Sequence, residues 1–207
     1  DVEYRQQPAF RHTASVMTIH NLAFQGRFWH WDMLMTGLDW QYFNWSQMES
    51  YGQLNFLKTG LVFANKITTV SPSYAEEIQT EEYGHGLDGV LRGRADDLVG
   101  ILNGIDDREW NPATDPALPQ NYDVKTVAAG KATCKAELQE RAGLPVREEP
   151  ALFGMVSRMT DQKGLDLITA QAENILQHDV QLVFLGQGDP YFEQRLRDMQ
   201  AAHPDKV

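Results

Sequence analysis

Apolar positions along the chain fall into short unbroken runs that alternate with stretches at helical spacing. Residues 15–19 (SVMTI) form a β-branched run ending at His20, and 66–71 (KITTVS) and 98–102 (LVGIL) repeat the type. Farther on, 151–157 (ALFGMVS) and 180–186 (VQLVFLG) do the same. Short apolar runs bounded by polar or turn residues read as buried strands. Between them, 52–66 carries Leu54, Leu57, Leu61 and Val62 at helical spacing, and 164–177 carries Leu165, Ile168, Ala172 and Ile175 on one face. A third helix is predicted over 124–144, stopped at Gly143 with Pro145 just beyond. Ser71-Pro72 and Asp189-Pro190 each pair an N-cap residue with proline at the first helical position, opening helices at 72–79 and 190 onward. Asn103-Gly104 is a turn dipeptide, and Pro204 ends the last helix.

Apolar strands interleaved with amphipathic helices predict parallel sheets covered on both faces. The pattern occurs twice, on either side of a loop rich in Asp, Asn and Pro that runs from Asp106 to Asp123. The expected architecture is therefore α/β: two Rossmann-like domains, 1–105 and 106–207, with that loop as the linker. Both ends of the chain read as cut, since DVEYRQQP opens without methionine and HPDKV ends while the alternation is still running.

Composition narrows the classes. A formal net charge of −11 argues against non-specific nucleic-acid binding, which needs a basic face. No apolar run approaches the roughly 18 residues of a membrane span, so a membrane partner is not expected. The single cysteine, Cys134, excludes an internal disulfide and fits a reducing cytoplasm. It shares a helical face with Val127 and Leu138 and reads as packing.

Ligands of open α/β sheets bind outside the carboxyl ends of the strands. Here those ends are polar: His20-Asn21, Ser71, Asn103 and Asp106, Arg158, and Gly186-Gln187-Gly188-Asp189. Arg158 stands at a strand end, and Lys163-Gly164 immediately precede a predicted helix. On position alone the two cations are either solvated loop charges or an anion clamp aided by the helix N-terminus. The glycine pair Gly186 and Gly188 permits close backbone approach to a ligand but lacks the third glycine of a dinucleotide fingerprint. No G-x-x-x-x-G-K-[ST] and no G-x-S-x-G occurs. The histidines at 12, 20, 30, 85, 178 and 203 are scattered, with none at a metal-ligand spacing from His20, so no metal is expected. His20 is either a structural hydrogen-bonding residue or a functional one. The glycine-rich stretch EEYGHGLDGVL (81–91), with Tyr83, Gly84 and Gly86, is either a surface turn or the lining of a cleft. The aromatic segment FWHWDMLMTGLDWQYFNW (28–45) holds four of the five tryptophans and reads as core or loop packing before sugar stacking.

An ordered set of segments resembles the bacterial and plant glycogen and starch synthases, retaining glucosyltransferases of the GT-B fold. The matching stretches are TIHNLAFQG (18–26), NFLKTGL (55–61), ITTVSPSYAEEI (67–78), YGHGLDGVL (83–91), GILNGIDDREWNPATD (100–115), SRMTDQKGLDL (157–167) and LGQGD (185–189). The resemblance implies two doubly wound, parallel-sheet, Rossmann-like domains facing a cleft, both incomplete in this chain. The first would be the acceptor side and the second the nucleotide-sugar donor side. It implies that Arg158 and Lys163 contact the donor diphosphate, with Gln162 between them in the donor-side loop. His20 matches a histidine beside the transferred glucose, followed by Asn21. Asn103 matches an asparagine near the sugar or leaving group. Gly186 and Gly188 fall in the donor region, and Tyr83, Gly84 and Gly86 fall in a loop facing the cleft. Two motifs of such enzymes, K-x-G-G-L and E-x-C-G-L, do not occur within these residues. The chain is thus expected to span the middle of the enzyme, and catalysis by this stretch alone is not expected.

The implied reaction moves glucose from ADP-glucose to the 4-hydroxyl at the non-reducing end of an α-1,4-glucan such as glycogen or a maltooligosaccharide, with retention. It needs no cofactor and no metal. The implied location is the cytoplasm, or the plastid in a plant. A different GT-B transferase, sucrose synthase-like or trehalose-phosphate synthase-like, is one alternative. A non-catalytic glucan- or nucleotide-binding module is another.

Overall fold

The computed structural model describes Tyr4 and residues 7–207, so residues 1–3, 5 and 6 of the opening DVEYRQQP lie outside the described part. The chain divides into two compact units, Asp1–Ile105 and Asp106–Val207.

In the first unit, β1 (Val16–Ile19), with β2 (Arg27–Phe28), α1 (Met33–Thr36) and β3 (Glu49–Ser50), precedes β4 (Gln53–Asn55) and α2 (Phe56–Phe63). Then come β5 (Lys66–Thr69), α3 (Pro72–Glu77), α4 (Asp88–Arg92) and β6 (Leu98–Gly100). The main sheet is parallel in the order β1-β5-β6, with Ile19 opposite Thr69 and Thr69 opposite Gly100. Its core is Ile19, Leu22, Leu57, Leu61, Ile67, Ile78, Leu87 and Leu91, drawn from strands and helices alike. Ser71 caps α3 as expected, accepting the Tyr74 N–H at 2.9 Å with Pro72 in the first turn.

A second sheet, antiparallel in the order β2-β4-β3, was not expected. It overturns the amino-terminal part of the helix predicted over 52–66. Gln53–Asn55 form a strand instead, because Asn55 stays extended and its side chain accepts the Lys58 N–H at 2.9 Å, starting α2 there. Lys58, itself buried, donates from Nζ to the Trp45 carbonyl at 2.5 Å and the Glu49 carbonyl at 2.6 Å, tying the aromatic segment to α2. The tryptophans of that segment do not enter the core. Trp29 and Trp45 are 63% and 80% exposed, and the buried cluster is Met33, Met48 and Leu54. The rings pack edge-to-face on one another, Trp31 on Trp40 at 5.5 Å and Trp40 on Phe43 at 5.7 Å.

At the other end of the main sheet, Arg94 gathers the end of α2 and the entry to β5. Its guanidinium donates to the carbonyls of Leu61, Val62, Ala64 and Asn65 and pairs with Asp97, which also holds Lys66 at 2.7 Å.

The second unit opens with the 106–123 segment, a series of turns closed by their own side chains. Asp106 accepts the Arg108 and Glu109 amides, Asn111 that of Ala113, and Asp115 that of Ala117. Such Asx turns explain the composition that reads as a linker. There follow α5 (Val127–Arg141), β7 (Ala151–Val156), α6 (Leu165–Ala170), α7 (Ala172–Leu176), β8 (Val180–Leu185) and α8 (Pro190–Ala202). β7 and β8 pair in parallel, Val156 opposite Leu185. The core joins Met159, Leu165, Ala172, Leu176, Leu182, Phe192, Leu196 and Met199. Asp189 caps α8 through the Tyr191 N–H, with Pro190 in the first turn.

Two expectations change here. The helix predicted over 164–177 is two short ones, broken at Gln171, where the backbone leaves helical geometry. The face of α5 carrying Val127 and Leu138 is exposed and Cys134 is half-buried. The buried positions of α5 are Gly130 and Gln139. Gly130 packs against Tyr122, and Gln139 donates to Gln181 Oε1 at 2.5 Å.

Candidate active site

Parallel register fixes which residues share an edge. In the first unit Ile19 stands opposite Thr69 and Thr69 opposite Gly100, so the next residues, His20, Val70 and Ile101, leave the sheet side by side. His20 is exposed at this edge; Asn21 is half-buried and its Oδ1 accepts the Ala23 N–H. The Leu22 amide donates to the Tyr74 hydroxyl at 3.0 Å, fastening the loop after β1 to α3. Gly100 lets β6 run against the Ser71-Pro72 corner, since a Cβ there would lie 2.2 Å from the Ser71 carbonyl oxygen. Asn103 follows, exposed, on chain without regular structure.

The glycine-rich stretch packs onto the same unit. Gly84 is buried; a Cβ on it would meet the Thr80 carbonyl and Asp88, so glycine is what allows α4 to start there. Tyr83 is exposed, and a hydrogen bond to Glu82, with that residue's charge, raises its hydroxyl above the ordinary range. It therefore serves as a donor at neutral pH and not as a base. Gln25 and Arg27 both donate to the His85 carbonyl, at 3.0 and 3.2 Å. Gln25 lies in the TIHNLAFQG stretch, but its pairing and that of Arg27 with His85 carry no sequence signal, because the partner lies far along the chain.

In the second unit Arg158 and Lys163 are exposed, and a 3-10 turn, Asp161–Lys163, stands between β7 and α6. The loop expected between strand and helix thus contains a tight turn that carries Gln162 and Lys163. The loop is held from the β8 side. Met159 N–H donates to the Gln187 carbonyl at 2.9 Å, and Asp189 N–H returns to the Met159 carbonyl at 2.7 Å. Gly186 and Gly188 make this contact possible, since a Cβ would fall 1.8 Å from the Ser157 oxygen in one and 2.3 Å from the Met159 oxygen in the other. Their close backbone approach is thus to the 157–159 segment. The Gly188 N–H donates to Glu193 Oε1 at 3.0 Å; that bond, then Arg197, holds the Glu193 carboxyl below its usual range. Thr160 Oγ1 is a buried hydroxyl without a partner among the described residues. In the first unit His20 stands at the carboxyl edge with Asn21 after it, and Asn103 follows β6 by three residues; in the second, Arg158, Gly186 and Gly188 share the carboxyl edge, with Gln162 and Lys163 in the turn that follows.

Among the described residues no three His, Cys, Asp or Glu side chains converge as metal ligands. No helix among them is long and apolar enough to cross a membrane.

Rossmann-like parallel units with polar carboxyl edges, the second with a cationic βα loop, define the GT-B class of glycosyltransferase fold. The family model for the starch synthase catalytic domain matches residues 1–93. Over nearly its whole length the chain is similar to glycogen synthases. It is 49% identical over 205 residues to glycogen synthase of Anaeromyxobacter dehalogenans strain 2CP-C, covering 99% of this chain and 43% of that protein. With glycogen synthase of Thermotoga maritima it shares 51% identity over 204 residues, 99% of this chain and 42% of that one. The catalytic domain of starch synthase IV from Arabidopsis thaliana, solved bound to ADP and acarbose, superposes with a TM-score of 0.82 at 33% identity, over 92% of this chain and 40% of its own. The chain spans less than half the length of the curated relatives it matches.

Proposed function

We propose that the intact protein transfers glucose from ADP-glucose to the 4-hydroxyl at the non-reducing end of an α-1,4-glucan, with retention of configuration. The observation that carries this reading is the register that sets the Arg158–Lys163 loop beside Gly186-Gln187-Gly188 at one carboxyl edge. In the reaction the bond from glucose C1 to the diphosphate breaks while the bond to the acceptor oxygen forms, negative charge builds on the departing ADP, and the acceptor hydroxyl's proton passes to the departing phosphate oxygen. Arg158 and Lys163 stabilise that charge where it develops, a pre-organised electrostatic role that in this reading requires no metal and no cofactor. Gln162 and the backbone at Gly186 and Gly188 complete the donor side. His20 hydrogen-bonds a sugar hydroxyl or a backbone carbonyl, Asn21 and Asn103 orient the glucose, and the Tyr83–Gly86 loop borders the acceptor. The Arabidopsis relative bound to ADP and acarbose supports a nucleotide and a glucan as the two partners. The cytoplasm, or the plastid in a plant, is the location this reading carries.

The test is incorporation of labelled glucose into glycogen by the intact protein, with ADP-glucose and UDP-glucose as rival donors. Glucan extension from ADP-glucose is the expected result. Transfer to fructose or to glucose 6-phosphate instead would replace this reading with a sucrose synthase-like or trehalose-phosphate synthase-like one.

A further inference from the structure

His85 adopts a left-handed backbone, φ 48°, in the middle of the glycine-rich loop. That region is disfavoured for any residue carrying a Cβ, and such outliers persist only where surrounding contacts impose them. The contacts here are specific. Gln25 Nε2 and Arg27 Nη2 both donate to the His85 carbonyl, at 3.0 and 3.2 Å. Gln25 is 5% exposed, and its Oε1 accepts from Arg27 Nε at 3.0 Å, Arg27 Nη2 at 2.8 Å and Asn55 Nδ2 at 2.8 Å. Asn55 is in turn the cap of α2. On the loop's other side Gly86 faces the Tyr51 ring, over which the Arg27 guanidinium sits at 6.0 Å.

The geometry points to Gln25 and Arg27 as positioning residues. They clamp the His85 carbonyl, hold the loop in its left-handed turn, and so set the course of the 83–87 backbone for binding the glucan acceptor. This inference rests on the glucan-transfer reading above. Gln25 and Arg27 touch no substrate in this arrangement; they act through the loop. Gln25 follows His20 by five residues on the loop after β1, so one short segment carries a sugar-side histidine and the fastening of the neighbouring loop.

The experiment uses the intact protein, with Gln25→Met and Arg27→Lys alone and each combined with His85→Gly. Glycine takes the left-handed backbone without a Cβ penalty, so it needs no clamp. Two readouts are taken: amide hydrogen exchange at Gly84 and Leu87, and affinity for maltoheptaose by calorimetry with ADP affinity as the control. The expected result is faster exchange in both clamp variants and maltoheptaose affinity weakened by about tenfold or more, with ADP affinity unchanged. Adding His85→Gly restores protection. Unchanged exchange, unchanged glucan affinity, equal loss of ADP affinity, no restoration by His85→Gly, or a wild-type protein that binds no maltoheptaose would each overturn the proposal. Loss of glucosyl transfer with glucan binding and protection behaving as expected would count against the proposed function and leave the clamp standing.

Discussion

A Cβ placed on Gly186 would lie 1.8 Å from the carbonyl oxygen of Ser157, so the ends of β7 and β8 touch backbone to backbone. Gly186→Ala must separate the two strand ends or distort them. Overpacking of this kind typically costs about 1–3 kcal/mol. Gly188→Ala, which meets the Met159 oxygen at 2.3 Å, should behave alike. Denaturant unfolding should show the loss in both. In the intact protein donor affinity should fall with it, since the Arg158 loop is aligned by this contact.

Removing the cations should separate chemistry from stability. Lys163 is exposed, so Lys163→Ala should leave Tm nearly unchanged; Arg158→Ala is compared with it. Each should lower kcat/KM by a factor on the order of 10²–10³, as loss of an oxyanion-hole donor does. Unaltered kcat/KM in either variant would remove that residue from the diphosphate grip.

The amide pair of the second unit is a stability element. Gln139 and Gln181 are 1% and 2% exposed, and between them they serve the carbonyls of Arg147, Pro145 and Asp205. Gln139→Leu leaves buried polar atoms unpaired and should cost about 1–3 kcal/mol by chemical denaturation. Adding Gln181→Leu should cost less than the sum of the two single changes, because the shared hydrogen bond is lost only once.

Titrations at the acid and alkaline ends should tilt stability with the same slope, upward with pH. Glu193 has its carboxyl lowered by the Gly188 N–H and then by Arg197, and Asp97 by Lys66 and Arg94. A lowered carboxyl binds its proton later in the folded state than in the unfolded one. Its stabilisation is present above the unfolded value and lost as pH falls through the folded one. Glu193→Gln should flatten the acid side of the Tm–pH curve. Lys58 is lowered by burial, partly opposed by Glu49. The unfolded state then holds that proton to higher pH, so this residue's contribution rises as pH climbs through the lowered value toward 10.5. In Lys58→Met that alkaline rise should vanish, and the Trp45 and Glu49 carbonyls should lose their donor.

What could be read from the residues divides along physical lines. The strands at 16–19, 66–69, 98–100, 151–156 and 180–185 announced themselves as short, mostly apolar runs, although the covering expected on both faces is incomplete, Phe153 and Val156 being 59% and 80% exposed. The caps at Ser71 and Asp189 were legible because capping is local chemistry. The antiparallel sheet was not, since strands of two or three residues are too short to display alternation. Of the core or loop packing expected for the tryptophans, the structure shows the loop kind, a choice that aromatic content could not make because it says nothing of which way the rings face. At the site, polar strand ends drew attention to His20, Asn103 and Arg158. The clamp on His85 stayed hidden because it joins residues 58 and 60 positions apart.

The guanidinium of Arg94 reaches carbonyls from Leu61 to Asn65 just before β5 begins. It therefore sets the phase in which that strand enters the sheet. A one-residue slip of a strand turns every side chain to the opposite face. Such a slip at Lys66 would carry through to the far end, where Thr69 reaches back to the Ile19 carbonyl just before His20. The chemistry at one end of this sheet is counted off from the other, and Arg94 is where the count starts.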